Sequence, residues 1–200
     1  MQTDKTLSYY NKNAPTFIEN TVNVDFSETQ TRFLRKLKSP AHILDFGCGS
    51  GRDTKYFLSQ GHQVDAIDGS AVLCAAASRY TGIQVQNMLF QDLTAVEAYD
   101  GIWACASILH LPPEELKAVM RKMAIALKTD GIIYTGFKYG TFIGERNGRF
   151  FTDMTEETFA DLLRQIEDID LDLEEQWVTT DVRPGRGEER WLDLILRKRS

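Results

Sequence analysis

Three glycines alternate in the stretch ILDFGCGSGRDT, residues 43–54, directly after a short apolar run. Gly47, Gly49 and Gly51 stand where a strand turns into a helix, and the free backbone N–H groups of such turns bind ligands in open α/β sheets. A dinucleotide site would show GxGxxG, but this chain has GxGxG, and Arg52 occupies the place of the third glycine. The stretch therefore predicts a ligand site that is not built for a pyrophosphate.

Acidic residues end the two strands nearest this turn. Asp45 ends the apolar run before Gly47, where it would repel a bound pyrophosphate. Asp68 directly follows the next predicted strand, 17 residues after Gly51, and an acid at the end of a strand at such a distance can hold the hydroxyls of a ribose. A cationic ligand with a sugar suits both acids. S-adenosylmethionine, which has sulfonium, ammonium and adenosine groups, is such a ligand.

With these motifs the chain resembles the class I S-adenosylmethionine-dependent methyltransferases, whose first motif is an acid, one residue and GxGxG after the first strand. The resemblance covers about residues 9–197, with the motifs in the order of that family. It implies S-adenosylmethionine as cofactor. The cofactor-binding residues that it implies are Asp45, Gly47, Cys48, Gly49, Arg52, Asp68, Gly69, Ser70, Asp92, Leu93, Ala104, Cys105 and Ala106.

The resemblance also implies a role for each of these segments. The loop at 45–52 matches the part around the methionine moiety, with its arginine at the cofactor carboxylate. Asp68 matches the acid that binds the ribose hydroxyls, and residues 69–70 lie beside the adenine. Residues 92–93 match the pair at the adenine amino group, and residues 104–106 line the reactive end of the cofactor.

Some of these residues have an alternative, structural interpretation. Asp68 and Ser70 could cap the helix that follows them, and Asp92 could open a turn. Cys48 and Cys105 are more typical of small packing residues than of reactive thiols. The functional interpretation depends on the occurrence of all these motifs at successive strand ends.

Apolar runs and helical patterns alternate along the chain, which is typical of parallel strands joined by helical crossovers. The predicted strands are 42–46, 62–67, 83–88, 101–106 and 131–137, and the predicted helices are 53–60, 70–80 and 112–128. Two final runs, at 174–180 and 190–197, are joined too closely for a helix, so the last strand should be antiparallel. We expect an α/β, Rossmann-like, seven-stranded and mostly parallel sheet with helices on both faces.

The N-terminal part precedes the first strand and should be helical. Residues 25–38 open with Asp25 and Glu28, a pair that looks like a capping box. We expect residues 1–38 to form a helical lid with a first helix, and residues 41–200 to form the Rossmann-like core of a single class I methyltransferase domain.

The composition indicates which cellular compartment and which kinds of partner to expect. The chain has 200 residues and a formal net charge of -6, so nucleic acid is not an expected partner. Its three cysteines lack the spacing of a zinc site, so no metal is expected. Their odd number argues against a disulfide framework, which favours the reducing cytoplasm. No segment is typical of a secretion signal or a membrane span. The expected partner is a small-molecule substrate, and the protein should be a monomer or a homodimer.

Methyl transfer from a sulfonium is an in-line displacement. Positioning of the reactants alone can lower the activation barrier of such a reaction by roughly 7–11 kcal/mol. A general base is needed only where the nucleophile loses a proton. The candidate catalytic residues are His110, Tyr10 and Arg149. The sequence after the fourth strand, ACASILHLPPEE, lacks the NPPY of adenine and amide methyltransferases, which argues against those substrates.

The acceptor should bind between the lid and the loops after the later strands. The lid candidates are Tyr9, Tyr10 and Phe17, and the loop candidates are Lys138, Tyr139 and the segments 145–151 and 181–190. Five cations in these loops predict an anionic acceptor, such as a tellurite-like oxyanion or a carboxylate. They are Lys138, Arg146, Arg149, Arg183 and Arg186. The alternative is ordinary loop charge partnered by Glu145, Glu188 and Glu189.

Two further segments, SYYNKNAPTFIENT and GRFFTDMTEETF, resemble the small bacterial tellurite-resistance-type methyltransferases. Two other functions stay open at this point. The domain could bind S-adenosylmethionine or S-adenosylhomocysteine without catalysis. A nicotinamide-dependent oxidoreductase is the other alternative, although Asp45 and Arg52 argue against it.

Overall fold

A computed structural model describes residues 2–166 and 168–199. Seven strands form one sheet in the order β3-β2-β1-β4-β5-β9-β8, and a hairpin forms a second sheet of β6 and β7. The strands are β1 His42–Phe46, β2 Gln63–Asp68, β3 Gln86–Asn87, β4 Tyr99–Ala104, β5 Leu127–Lys138, β6 Ile143–Arg146, β7 Arg149–Thr152, β8 Leu171–Thr180 and β9 Arg190–Lys198. The neighbouring strands β3, β2, β1, β4 and β5 are parallel to one another, and β9 is antiparallel to both β5 and β8. The predicted Rossmann-like sheet with an antiparallel last strand is confirmed.

Helices connect the strands and cover the sheet. They are α1 Gln2–Glu19, α2 Ser27–Leu34, α3 Arg52–Ser59, α4 Ala71–Thr81, α5 Pro113–Ala126 and α6 Glu156–Arg164, with 3₁₀ turns at Phe90–Asp92 and Ile108–His110. Alternate residues of a strand point to opposite faces, so Ile43 packs with Phe33 of α2, while Leu44 belongs to the cluster that includes Leu116 of α5. The prediction of helices on both faces is confirmed.

Two local predictions are wrong. The strand expected at 83–88 is reduced to the two residues of β3, which lie at the edge of the sheet and are exposed. The capping box of Asp25 and Glu28 does not form, because α2 begins only at Ser27 and has no described side chain that caps it. The Asp25 carboxylate instead accepts the backbone N–H of Ser27 at 2.9 Å, which is a local turn.

The segment ERNGRFF, expected as a loop, forms the turn and inner parts of the β6–β7 hairpin. Its turn residues Asn147 and Gly148 have φ angles of 50° and 76°, as a two-residue hairpin turn of the primed kind requires. Arg146 and Arg149 pair across the turn. An Asn-Gly pair is a strong hairpin signal, so this element could have been predicted from the sequence.

Helix α1 runs across the carboxyl edge of the sheet and is held there by side chains. Thr6 Oγ1 accepts the N–H of Phe150 at 3.2 Å, and Ser70 Oγ donates to Asn11 Oδ1 at 2.6 Å. The predicted N-terminal helix is therefore present over the edge where ligands bind in such folds. Within 2–166 and 168–199, no helix combines the length and apolar character that crossing a bilayer requires.

Candidate functional site

A cavity of about 230 Å³ lies at the carboxyl edge of the sheet, beneath α1. We call the part formed by residues 47–53 and 68–69 the loop side. We call the part formed by Tyr10, His110 and Arg149 the lid side. Both parts line the same cavity, whose walls are mainly apolar. The predicted ligand edge and the predicted catalytic candidates therefore come together in one place.

The outer glycines of the loop are required by packing within the protein. A Cβ on Gly47 would lie 2.5 Å from Ser107 Cβ, and a Cβ on Gly51 would lie 2.9 Å from Thr81 Cγ2. Both glycines also have positive φ angles, of 90° and 82°. The absence of side chains at these two positions is thus explained by neighbouring segments, without any ligand.

Gly49, the central glycine, faces the lid helix and touches Asp68. A Cβ there would lie 3.0 Å from the ring of Phe17, and its N–H donates to Asp68 Oδ2 at 2.9 Å. The N–H of Ser70 donates to Asp68 Oδ1 at 2.8 Å. Burial raises the pKa of Asp68, against the effect of these two N–H groups. Each carboxylate oxygen keeps a second lone pair, and Asp68 lines the cavity, so it can accept two hydroxyl groups.

Arg52 lines the cavity and is held by a buried acid that the sequence analysis missed. Its Nε and Nη2 donate to Asp53 Oδ1 at 2.8 Å and Oδ2 at 2.9 Å. Trp103 Nε1 and Gln30 Nε2 also donate to Asp53, at 2.9 and 2.6 Å. Burial would raise the pKa of Asp53, but Arg52 and these donors hold it below the ordinary value. The guanidinium is thereby fixed in orientation at the wall of the cavity.

Asp45 lies beneath the loop and is not among the described residues that line the cavity. It is 2% exposed, and Thr54 Oγ1 donates to its Oδ2 at 2.5 Å. Burial, and then the charge of Asp53, raise the pKa of Asp45 to about 8. The predicted effect of Asp45 on a pyrophosphate would therefore have to act from beneath the loop, because its carboxyl is buried and lies outside the described cavity lining.

Several other predicted cofactor residues lie outside the cavity. Ser70 caps α4 by accepting the N–H of Leu73 at 3.2 Å, as its structural interpretation proposed. Asp92 is exposed, and Leu93 and Ala104 are buried, but in the described part of the chain none of the three lines the cavity. The remaining predicted positions that do line it are Cys48, Gly69, Cys105 and Ala106. Burial raises the pKa of the Cys48 and Cys105 thiols, which suits packing residues.

Gln91, next to Asp92, was missed by the sequence analysis. It lines the cavity beside Leu89 and Phe90. Its Nε2 donates to Glu115 at 2.7 Å, while its Oε1 is buried without a hydrogen-bond partner among the described residues. An unpaired buried acceptor is costly unless a ligand supplies a donor. The adenine amino group is such a donor, so this wall fits S-adenosylmethionine.

Hydrogen bonds join the three residues of the lid side, which come from distant segments of the chain. The Tyr10 hydroxyl lies 2.8 Å from His110 Nε2, and His110 Nδ1 lies 2.7 Å from the carbonyl oxygen of Phe150. Arg149 Nη1 reaches the Tyr10 hydroxyl at 3.5 Å. The three catalytic candidates of the sequence analysis are therefore in contact with one another, although their roles stay a prediction.

The five predicted cations differ in their partners. Four are paired with carboxylates: Lys138 with Glu189, Arg146 with Asp153, Arg183 with Asp181, and Arg186 with Glu189. Arg149 has no carboxylate partner among the described residues, and its guanidinium lies 4.4 Å from the ring centre of Tyr9. The alternative of neutralised loop charge therefore applies to four of the cations, with the expected Glu189 as partner of two of them and the unexpected Asp153 and Asp181 as partners of the others.

Comparison with known proteins gives matches to methyltransferases. A family model described as a methyltransferase domain matches residues 43–131. An uncharacterized methyltransferase of Staphylococcus carnosus is 28% identical over 157 residues, which is 74% of each chain.

Solved structures share the fold, among them two methyltransferases. The 1,6-didemethyltoxoflavin-N1-methyltransferase of Burkholderia thailandensis is 23% identical, with a TM-score of 0.77 over 100% of this chain and 87% of that one. The N-methyltransferase NodS of Bradyrhizobium japonicum is 17% identical, with a TM-score of 0.69 over 95% of this chain and 98% of that one.

These observations indicate the class of the protein. The methyltransferase-domain match over residues 43–131, the relative described as a methyltransferase and the shared class I fold together support an S-adenosylmethionine-dependent methyltransferase, with S-adenosylmethionine as cofactor. The prediction of this class is supported, the matches favour it over the nicotinamide-dependent alternative, and the non-catalytic alternative stays open to the turnover test below. The methyl acceptor is a separate question, which depends on the lid side.

Proposed function

We propose that the protein, as a single domain over residues 1–200, methylates a small-molecule acceptor that binds at the lid side of the cavity. The observation that carries this proposal is the continuity of one cavity from Gly49 and Asp68 to Tyr10, His110 and Arg149. Such continuity lets a cofactor and an acceptor be held next to each other, which is the main requirement of an in-line displacement.

In this proposal the loop side holds the cofactor. Asp68 accepts the ribose hydroxyls, Gly49 leaves room for the methionine moiety, and Arg52 faces the cofactor carboxylate. Gln91 Oε1 takes the adenine amino group, in place of the Asp92 side chain that the resemblance implied. When bound, S-adenosylmethionine supplies an electrophilic methyl group on a sulfonium.

Of the five cations that predicted an anionic acceptor, only Arg149 still supports that prediction among the described residues. This guanidinium lines the cavity without a carboxylate partner among the described residues, and its Nε is buried without a hydrogen-bond partner there. An oxyanion such as tellurite and a small carboxylate both offer the oxygen pair that an arginine binds. The Burkholderia structure holds a small molecule together with S-adenosylhomocysteine, which supports an acceptor of this size class.

The first test is ligand binding, followed by turnover. We expect S-adenosylmethionine, and not NAD, to raise the melting temperature, by an amount that corresponds to about 2.7 kcal/mol at 100 times its Kd. Release of S-adenosylhomocysteine is then measured with tellurite, salicylate, a thiol and a neutral amine. Binding without release from any acceptor class would contradict the proposed turnover.

The role of Arg149 is tested by a matched pair of variants. Arg149→Lys should raise the KM of anionic acceptors by about 10-fold or more, because lysine cannot form the bidentate contact. Arg146→Lys is the control, since Arg146 lies across the same hairpin turn, is paired with Asp153 and is outside the cavity lining. Equal KM values in the two variants would remove Arg149 from acceptor binding.

A further inference from the structure

The hydrogen bonds of the lid side have a fixed direction. A backbone carbonyl only accepts, so at the 2.7 Å contact His110 Nδ1 must carry the hydrogen that it donates to Phe150. A neutral imidazole has one N–H, and Nε2 is then left without a hydrogen. The Tyr10 hydroxyl, 2.8 Å from Nε2, must therefore be the donor of that contact.

Burial favours the neutral form of His110. Burial lowers its pKa to about 4, with a smaller contribution from Arg149 and against the opposing effect of the Phe150 hydrogen bond. The described titratable groups around the pair are Arg149, Tyr9 and Asp68, of which the first is the direct neighbour. The neutral imidazole thus has a lone pair at Nε2, the atom that faces the Tyr10 hydroxyl.

The direction of these bonds determines what Tyr10 can offer to a ligand. Its hydrogen is committed to His110, so toward the cavity its oxygen can only accept. Beside it, Arg149 offers a buried Nε–H that has no partner among the described residues. The lid side therefore presents one hydrogen-bond acceptor next to one cationic donor. A complementary molecule carries an N–H or O–H group next to an anionic or electron-rich oxygen or nitrogen.

We propose that the methyl acceptor is an N–H or O–H acid whose proton passes to Tyr10 Oη while the hydrogen of Tyr10 passes to His110 Nε2. This inference rests on the proposed function and specifies its substrate class. Tyr10 is the catalytic residue, because it touches the acceptor. His110 acts through Tyr10 and is a positioning residue and proton store.

The step balances in atoms and charge. The nucleophilic atom of the acceptor gains the methyl group of the cofactor, whose carbon–sulfur electron pair stays on sulfur to give S-adenosylhomocysteine. The acceptor proton moves to Tyr10 Oη, and the phenolic hydrogen moves to His110 Nε2. The imidazolium that results returns one proton to water when the product leaves. Arg149 faces the negative charge that develops on the acceptor as its proton is lost.

The direction of the bonds is tested without any acceptor. Two-bond ¹H–¹⁵N correlation spectra of the protein saturated with S-adenosylhomocysteine report the tautomer of each histidine, and His110→Gln identifies the signal of His110. We expect the Nδ1–H tautomer near neutral pH. Tyr10→Phe should shift the Nε2 resonance, while Tyr56→Phe, which loses a comparable hydroxyl contact to Thr31 outside the cavity lining, should not. An Nε2–H tautomer would overturn the inference even if the protein binds S-adenosylmethionine normally.

The proton transfer is tested with salicylate as an O–H acid, uracil as an N–H acid and dimethyl sulfide as a proton-free nucleophile. Tyr10→Phe should lower kcat for the N–H or O–H acid by about 100-fold or more and leave the Kd of S-adenosylmethionine within about 2-fold. His110→Gln should lower kcat in the same direction with little change in KM, and Tyr56→Phe should match the wild type. Turnover of dimethyl sulfide alone, or full kcat in Tyr10→Phe, would overturn the inference and leave the proposed function standing. A protein that fails to bind S-adenosylmethionine would overturn the proposed function itself.

Discussion

The two sides of the cavity are built in different ways. On the loop side, the contact between the N–H of Gly49 and Asp68 joins residues only 19 positions apart, through two neighbouring parallel strands. On the lid side, Tyr10 and His110 are 100 positions apart, and Arg149 and Tyr10 are 139 apart. The loop side is a product of local chain geometry, whereas the lid side exists only when α1, the turn after β4 and the hairpin come together.

The two sides correspond to two tasks, since the loop side would bind the cofactor and the lid side would select the acceptor. A strand, a glycine turn and a helix can present backbone N–H groups and one carboxylate with little help from the rest of the protein. Acceptor choice needs side chains of defined direction, and these are supplied by elements that can vary without disturbing the sheet. The two sides should therefore respond differently to substitution, the loop side in cofactor affinity and the lid side in turnover.

The largest effect is expected at Gly49. Gly49→Val would place a branched side chain within reach of Phe17 and of the bound cofactor, so S-adenosylmethionine binding should weaken by about 100-fold or more, about 2.7 kcal/mol. Gly61→Val is the matched control, because Gly61 has a φ of 85° and its Cβ would meet no described atom within 4 Å beyond its chain neighbours. Both variants should lose about 1–2 kcal/mol of stability through the strained φ. Calorimetry that finds equal affinities in the two variants would reduce Gly49 to a turn residue.

Asp68 should give the next largest effect. Asp68→Ala removes the proposed acceptor of the ribose hydroxyls and should weaken S-adenosylmethionine binding by roughly 10–100-fold, with a milder loss in Asp68→Asn. Asp65→Ala is the control on the same strand, since its carboxylate accepts from His42 and Tyr99 away from the cavity. If titration shows Asp68→Ala and Asp65→Ala with the same Kd, Asp68 serves only to hold the loop.

The predictability of the molecule follows the same division. The alternation of strands and helices was sufficient to predict the parallel sheet, and the short joint before β9 was sufficient to predict its antiparallel end. The turn at Asn147 and Gly148 carried a usable signal that was overlooked. The contact of Tyr10 with His110 could not be predicted from the sequence, because a hydrogen bond between residues 100 positions apart depends on how helix α1 docks against the sheet.

Asp53 and Asp45 show a further limit of sequence-based prediction. Asp45 stands in the motif position but lies beneath the loop, whereas Asp53, one residue beyond Arg52, is the buried partner that orients the guanidinium. Which of two acids faces a cavity depends on side-chain direction within the turn, and residue spacing does not report that direction.

His110 on the lid side and Asp45 beneath the loop are buried groups whose pKa values differ from those in the unfolded chain, and the two differences have opposite signs. Burial lowers the pKa of His110 to about 4, below its unfolded value of about 6.5. Between these values the unfolded chain binds a proton that the native state does not, so the free energy of unfolding falls as the pH falls. Burial raises the pKa of Asp45 to about 8, so here the native state holds the extra proton, and the free energy of unfolding falls as the pH rises from about 4 to about 8.

The smallest expected effect is therefore a pair of pH signatures. His110→Gln should be less sensitive than the wild type to acidification from about pH 6.5 to pH 5, by about 1–2 kcal/mol in the free energy of unfolding. Asp45→Asn should instead be less sensitive than the wild type to a rise from pH 5 to pH 8, because an amide cannot lose a proton. Urea unfolding at pH 5, 6.5 and 8 measures both differences. His110 then lowers the free energy of unfolding at acidic pH, and Asp45 lowers it at alkaline pH. Curves that run parallel to the wild type would show that neither group titrates differently in the folded protein.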